Sequence, residues 1–190
     1  LKTSNNNYQL ALGNSFIGSI YLHTIIVKEE NPSFYLKQAE KLFNILPENK
    51  NEAISIRKAE NYNSIGIYFR RLDEFKLSKD NYESSLSIFK KLNNLYPDKY
   101  NLDIGMQYHN LYILLSSYKK SNAIDYLLKA YEFKKSALND DQYIKSVFLN
   151  TTNTLINHYF HKKYLNIEKA NTYFNESEEM ITKVFKSEKK

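Results

Sequence analysis

The sequence predicts an all-α fold in which about four antiparallel helix pairs stack into a solenoid. Only 4 Gly and 3 Pro occur among 190 residues, so tight turns are few, which argues against a many-stranded β fold. Apolar residues recur with helical spacing in eight segments that form pairs. Equivalent apolar positions of successive pairs are 48, 46 and 44 residues apart, at Ile17, Ile65, Leu111 and Leu155. A near-constant period of this length indicates a repeated helical unit.

The predicted pairs follow one another along the chain, so residues 1–190 are expected to form a single domain. The pairs span approximately residues 8–47, 52–96, 99–139 and 141–187. In the first pair, Ile17 and Gly18 mark one helix, and Pro32 opens the next, where its missing N–H would have no helical partner. Because the sequence starts at Leu1 rather than Met, we expect it to be a piece of a longer protein.

The second pair shows the helical pattern most fully. Tyr62, Ile65 and Phe69 lie on one helical face. Asp73 then offers an N-cap for a second amphipathic run, and Pro97 prevents that run from continuing. The segment is therefore predicted to be a helix, a tight turn and a second helix.

Basic residues are scattered along the chain although its formal charge is +6 and its pI about 9.1. A nucleic-acid-binding repeat should carry basic residues at equivalent positions. Here Arg70 of the second pair corresponds to Ser116 of the third and Phe160 of the fourth. Nucleic-acid binding is therefore disfavoured, and single-stranded nucleic-acid binding stays as a minor alternative.

No constellation of catalytic residues is visible. The chain has 0 Cys, no HExxH pattern, no glycine-rich phosphate loop and no nucleophile elbow. His158 and His161 are three residues apart on a predicted helix, but a metal site would need further convergent ligands. We expect a protein that is not an enzyme and that holds no cofactor and no metal.

No segment is apolar over a length that could span a bilayer, and no signal peptide is visible. We expect a cytoplasmic location, although the lack of Cys is equally compatible with the periplasm.

The second pair resembles the tetratricopeptide repeat in the placing of its small and large packing residues. Those residues are Ile65, Gly66, Phe69, Phe75, Ser78, Tyr82, Ser85 and Leu86. The third pair departs at Tyr112, where a small residue is usual, and then matches at Ala123, Leu127 and Ala130. The fourth pair has an enlarged turn, Lys162 to Ile167, before Ala170 and Phe174. The long period is similar to that of kinesin-light-chain-type repeats and of the ligand-sensing regions of bacterial regulators.

The resemblance implies a right-handed α-α superhelix. Small side chains such as Gly66 and Ala130 would let helix axes approach closely, while Tyr82 and Phe174 would fill the gaps between neighbouring pairs. A single pair cannot cover its own apolar face, so stacking would be required for stability.

In repeats of this type the first helix of each pair lines the concave surface, so polar residues there are the expected ligand contacts. Asn can donate to and accept from a peptide backbone, and Arg can pair with a carboxylate. The groove candidates are Asn63, Ile67, Arg70 and Arg71 of the second pair, His109, Asn110, Ile113 and Ser116 of the third, and Asn153, Asn157 and His161 of the fourth. For the two arginines, a solvated helix end favoured by the helix dipole is an equal alternative.

The repeat resemblance favours a protein–protein or peptide interaction module, and its long period favours the sensory segment of a bacterial transcription regulator or signalling protein. A dimerisation or spacer element of a larger regulator is the alternative. A homodimer would form through the terminal helices, where Tyr8, Leu10 and Phe185 would cap the stack, continue into further repeats or pair with a second copy.

Overall fold

The computed structural model describes residues 2–23, 32–46, 51–139, 141–161 and 164–187. Within these ranges the chain forms eight α-helices and no β-strand, which confirms the all-α prediction. The helices are α1 (Lys2–His23), α2 (Pro32–Asn44), α3 (Glu52–Arg71), α4 (Phe75–Leu95), α5 (Asn101–Ser117), α6 (Ala123–Ser136), α7 (Gln142–Phe160) and α8 (Ile167–Ser187). None of the helices in the described ranges combines the length and apolar character that crossing a bilayer requires.

Side-chain caps set the beginnings of α3 and α7. Asn51 Oδ1 accepts a hydrogen bond from the Ala53 N–H at 3.0 Å. Asp141 Oδ1 accepts from the N–H groups of Tyr143 and Ile144 at 2.7 and 3.2 Å. Each cap satisfies backbone donors that have no partner within the first helical turn, and each cap residue has the extended backbone typical of that position.

The prediction that Asp73 caps α4 is wrong. The N-cap of α4 is Glu74, whose side chain makes no capping hydrogen bond. Asp73 instead has a left-handed backbone with φ of 60° and closes the end of α3. Its N–H donates to Arg70 O at 3.3 Å, and the Glu74 N–H donates to Phe69 O at 2.9 Å. This is the Schellman arrangement, and Asp tolerates the left-handed position as well as an N-cap.

The same turn recurs at the end of α5. Lys119 has φ of 53°, its N–H donates to Ser116 O at 2.9 Å, and the Lys120 N–H donates to Leu115 O at 2.9 Å. Asp73 and Lys119 are 46 residues apart, which is the period found in the sequence. The second and third pairs therefore share their turn geometry as well as their apolar pattern.

Each odd-numbered helix packs most extensively against the even-numbered helix that follows it, and the pairs contact one another through α2 with α3, α4 with α5, and α6 with α7. One core cluster joins α3, α4, α5 and α6 and includes Tyr82, Phe89, Ile104, Leu111 and Ala130. A second cluster joins α6, α7 and α8, and a third lies around α2 and the adjoining helices.

Glycine allows the two helices of a pair to approach closely at one recurring position. A Cβ at Gly66 would lie 2.7 Å from the Tyr82 ring, which confirms the close approach expected there. A Cβ at Gly18 would lie 2.7 Å from Leu36 Cγ, so the first pair makes the equivalent contact. In the third pair the corresponding residue is Tyr112, and the close approach moves to Gly105, where a Cβ would lie 2.6 Å from Lys134 Cγ.

The expectation that Phe174 fills a gap between pairs is wrong, because its side chain is 53% exposed. Its neighbour Tyr173 takes that place, with its ring 5.1 Å from the Tyr131 ring and 5.9 Å from the Tyr159 ring. An enlarged turn, Lys162 to Ile167, precedes α8 in the sequence. Neighbouring residues of a helix point about 100° apart, which separates the exposed Phe174 from the packed Tyr173. Lys162 and Lys163 of that turn lie outside the described residues.

Hydrogen bonds join corresponding helices of neighbouring pairs. Ser19 of α1 bonds Ser64 of α3 at 3.1 Å, and His109 of α5 lies 3.1 Å from Thr151 of α7. Among the second helices of the pairs, the Tyr131 hydroxyl of α6 donates to the Glu176 carboxylate of α8. The first helices of successive pairs thus lie beside one another, and so do α6 and α8.

Candidate ligand groove between α5 and α7

The two arginines proposed as groove residues make contacts within the protein. Arg70 is half-buried, and its Nε donates to the Tyr82 hydroxyl at 3.4 Å. Arg71 is exposed at the end of α3 and donates to the main-chain oxygen of Leu22 in α1. Both guanidinium groups therefore tie helices together, and a ligand would have to compete with these bonds.

The other candidates of α3 are similarly engaged. Asn63 Oδ1 accepts a hydrogen bond from Asn110 Nδ2 at 2.7 Å, which joins α3 directly to α5. Ile67 is half-buried and packs against the core cluster that contains Tyr82. The surface between α3 and α5 is thus bridged by polar contacts at this level.

The candidates of α5 and α7 behave differently, because most of them line two clefts between these helices. His109 and Asn110 line a cleft of about 470 Å³, here called the Lys134 cleft, whose wall also includes Met106, Lys134, Val147 and Asn150. Ser116, Asn157 and His161 line a second cleft of about 590 Å³, here called the turn cleft. Asn153 is exposed and Ile113 half-buried, and neither lines these clefts.

The turn cleft lies between the α5–α6 turn and the C-terminal end of α7. Lys119 and Lys120 contribute from the turn, and Tyr112 from α5. His158 stacks on Tyr164, with ring centroids 4.5 Å apart and planes at 13°. Burial, and then the neighbouring His161, lowers the pKa of His158 and so favours its neutral ring. No acidic side chain lines this cleft within the described residues, and its two lysines make it positive.

The Lys134 cleft contains a buried polar cluster that sequence reasoning missed. Lys134 Nζ donates to Thr151 Oγ1 at 2.7 Å and lies 3.4 Å from His109 Nδ1. Lys134 is 3% exposed and Thr151 0% exposed. A signal existed, since Lys134 stands seven residues after Leu127 on the core-facing stripe of α6, where Leu127, Ala130 and Tyr131 are all buried.

Burial determines the charge state of this cluster. It lowers the pKa of Lys134 to about 8, so the amine is cationic at pH 7. Burial and then the Lys134 charge lower the pKa of His109 to about 4, so that imidazole is neutral. An ammonium only donates, so His109 Nδ1 must accept and its ring proton must lie on Nε2.

Polar side chains are also buried at one repeated position of the odd helices. Asn61, Gln107 and Thr151 are 46 and 44 residues apart and are each at most 4% exposed. Asn61 Nδ2 donates to Leu36 O at 3.0 Å, while Asn61 Oδ1 and Gln107 Oε1 have no hydrogen-bond partner. Among the three, Thr151 is the residue whose hydroxyl reaches a buried lysine.

The described residues contain no group of three or more His, Cys, Asp or Glu side chains placed to hold a metal ion. The pair His158 and His161 instead contacts the ring of Tyr164. The two clefts between α5 and α7 thus offer a ligand hydrogen-bond donors, aromatic rings and positive charge.

Comparison with known proteins gives no assignment. No family model, curated protein or solved structure matches this chain significantly. The tetratricopeptide likeness rests on the residues of the second and third pairs.

Proposed function

We propose that this chain is a protein- or peptide-interaction module whose ligand lies along the groove between α5 and α7. The observation that carries the proposal is that both clefts open between these two helices and that five of the groove candidates line them. The helix pairs would stack as a right-handed tetratricopeptide-like solenoid, with these first helices on its concave face. Extended peptides suit such a surface because amide and hydroxyl side chains can bond their backbone.

The charge of the turn cleft favours an acidic ligand segment. Lys119 and Lys120 are exposed lysines on its wall, and no carboxylate lines it among the described residues. Tyr112 and Tyr164 add ring surface against which apolar or aromatic side chains can pack. The ligand we propose is an extended peptide with acidic and aromatic residues, bound over the turn cleft.

A matched pair of asparagines tests this proposal. Asn157 and Asn153 are both exposed on α7, one turn apart, but only Asn157 lines the turn cleft. Peptides selected from a diverse library should lose at least about tenfold in affinity in Asn157→Glu, because the new carboxylate repels an acidic segment. Asn153→Glu carries the same charge change and should bind as the parent does. Equal affinities of the two variants, or no selected peptide, would refute the groove assignment.

The parent context that we propose is a sensory segment of a larger bacterial regulator or signalling protein. This context rests on the similarity of the long repeat period to that of ligand-sensing regions. Ligand binding would then be read by an output domain elsewhere in the parent protein.

Self-association is the second candidate function, and the exposed face of α8 supports it. Ile167, Phe174 and Ile181 are 56%, 53% and 42% exposed and occur at seven-residue intervals along one helical stripe. A stripe of this spacing suits pairing with a helix of a second copy. Leu10 of α1 is also exposed, whereas the side chain of Phe185 lies outside the described residues.

The oligomeric state tests this second candidate. The parent should show a dimer mass by light scattering at micromolar concentration, and Phe174→Glu should shift it to a monomer with unchanged helicity. A parent that stays monomeric up to the highest soluble concentration would exclude a dimerisation role for α8.

A further inference from the structure

Lys134 is a core residue by position and a cation by chemistry. Its side chain leaves α6 on the buried stripe and lies against Gly105 of α5, where a Cβ would be only 2.6 Å from Lys134 Cγ. The absence of a side chain at Gly105 therefore provides the space that the lysine stem occupies. The second helices of the second and third pairs align 45 positions apart, since Leu127 and Ala130 correspond to Tyr82 and Ser85, so the residue equivalent to Lys134 is the buried Phe89. The third pair thus places an ammonium group where the second has an apolar side chain.

No carboxylate neutralises this ammonium within the described residues. Among the described residues its polar contacts are the hydroxyl of Thr151 and the neutral ring of His109, and none of the ion pairs found there involves it. An ammonium has three N–H donors, and these contacts use two of them. A buried charge without a counter-charge is costly, since burial removes hydration that only pairing can replace. The protein retains a cation here that its own described side chains do not neutralise.

Lys134 is one of the residues that line the Lys134 cleft, so this cleft is the route by which an external anion would approach its 3%-exposed side chain. Its wall combines the amides of Asn110 and Asn150 with the apolar side chains of Met106 and Val147. No acidic residue lines it within the described ranges, and its volume of about 470 Å³ falls in the range of small-molecule sites. With one cation and a neutral His109, the site offers a single positive charge.

We propose that the Lys134 cleft binds a small organic monocarboxylate, whose carboxylate pairs with the Lys134 ammonium while its apolar part contacts Met106 and Val147. A single cation matches a monoanion better than it matches a phosphate dianion. The apolar wall distinguishes an organic acid from chloride. The Asn150 amide, and the second N–H of the Asn110 amide whose other N–H is donated to Asn63, would be the donors for the second carboxylate oxygen. This site is separate from the turn cleft and stands or falls independently of peptide binding there.

The first test is binding of butyrate to the purified chain at pH 7, followed by isotope-edited NMR and by thermal unfolding. Butyrate should shift the amide signals of residues around His109 and Val147 and raise the melting temperature. n-Butanol, which has a similar apolar chain but no charge, and chloride at equal ionic strength should do neither. Equal shifts from butanol or chloride would overturn the assignment of an organic carboxylate.

Two lysine variants on the same helix supply the matched control. Lys134→Met removes the cation but keeps an unbranched stem of similar volume, and it should lose at least about tenfold in butyrate affinity while remaining folded. Lys129 is exposed on α6, and Lys129→Met should bind butyrate as the parent does. If Lys134→Met and the parent respond alike, the proposal is wrong. Gly105→Ala offers an independent check, because displacement of the Lys134 stem should weaken binding without removing the charge.

A carboxylate in the Lys134 cleft could belong to a small acid or to the C-terminus of a peptide, and peptides with a free or an amidated C-terminus distinguish the two. Peptides selected for the turn cleft should bind equally with a free and an amidated C-terminus, and butyrate should bind Asn157→Glu unchanged. A requirement for a free C-terminal carboxylate, lost together in Lys134→Met, would replace the small acid by a chain end and overturn the proposal in its present form.

Discussion

Corresponding helices meet at two junctions of the molecule, one between the second and third helix pairs and one between the third and fourth. The two junctions differ in how the facing side chains fill the space between the helices. Between α3 and α5, Asn110 bonds Asn63 directly at 2.7 Å. Between α5 and α7, His109 meets Thr151 beside the buried Lys134, and two clefts open. A polar contact thus spans each junction, but the two clefts described above both open between α5 and α7. We call the α3–α5 junction the bridged junction, because its two asparagines bond directly and neither of these clefts lies there.

The cores beneath the two junctions differ as well. Tyr82, Phe89 and Leu111 belong to one cluster that runs through four helices from α3 to α6. Among the described residues, the cluster beneath α6, α7 and α8 has fewer buried members, and Tyr173 at its edge is only half-buried. We therefore expect the helices on either side of the bridged junction to contribute more to the free energy of unfolding than α7 and α8 do. The junction with clefts carries the features, such as a buried cation, that a ligand can neutralise.

The largest expected change in unfolding free energy comes from truncating one large aromatic residue in each of the two core clusters. Tyr82→Ala should lower the free energy of unfolding by about 3–5 kcal/mol, since this fully buried ring packs on Gly66 within the larger cluster. Tyr173→Ala should cost less than half as much, because part of its ring is already exposed to solvent. Urea denaturation of both variants measures the difference. Equal losses would mean that the two junctions are equally stable.

The second effect has the opposite sign. Lys134→Met should raise the free energy of unfolding at pH 7 by about 1–2 kcal/mol, because it removes the cost of a buried cation, although the bond to Thr151 is lost. The folded-state pKa of Lys134 is lowered to about 8 from its ordinary 10.5. Below pH 8 the whole cost is present in the parent. As pH rises from about 8 to about 10.5, the folded parent releases this proton before the unfolded chain does, so the parent gains stability.

Unfolding free energies of the parent and Lys134→Met at pH 7 and pH 10 check this prediction. The advantage of the variant should shrink at the higher pH, while Lys129→Met should show no such change. An advantage that is constant with pH would mean that the lysine acts through packing rather than through its charge.

Periodicity was sufficient to predict the helices, because a helix that buries one face has apolar residues three or four positions apart in the sequence. The resemblance to the tetratricopeptide repeat predicted the close contact at Gly66, where a small residue lets two helix axes approach. Asp73 was assigned wrongly because Asp suits both an N-cap and a left-handed helix end. Phe174 was assigned wrongly because Tyr173 and Phe174 are adjacent large aromatic residues, and the repeat pattern alone did not reveal that Tyr173 is the one that packs on Tyr131 and Tyr159.

The candidate groove was predictable only in part. Helical spacing identified the exposed side of α5 and α7, so Ser116, Asn157 and His161 do line one cleft. It could not show that Asn63 bonds Asn110, since that bond spans 47 residues and depends on how pairs dock. Long-range contacts between polar side chains have no local signature, and these decide which part of the surface is open.

A double-mutant cycle measures how strongly the bridged junction depends on its amide pair. Asn63→Ala and Asn110→Ala should each destabilise the chain, and together they should cost about 1 kcal/mol less than their sum, because each single change already breaks the bond. Chemical denaturation of the parent, both single variants and the double variant gives the coupling. The same cycle on Asn63 and Asn153, which are not bonded, serves as the control and should be additive. A coupling energy near zero would mean that the apolar core, rather than the Asn63–Asn110 bond, holds α3 and α5 together at this junction.

The smallest expected effect distinguishes the two Schellman turns. Lys119→Gly should raise the free energy of unfolding by about 0.5 kcal/mol, since glycine avoids the cost of about 1 kcal/mol that a side chain adds at positive φ and gives back part through chain entropy. Asp73→Gly should gain less, because the Tyr118 hydroxyl also contacts Asp73 Oδ1 at 3.3 Å and that contact would be lost. Lys119→Ala, which keeps a Cβ, should show no gain in thermal unfolding. If Asp73→Gly stabilised as much as Lys119→Gly, the Tyr118 contact would add nothing to the bridged junction, and its strength would rest on the amide pair and the core alone.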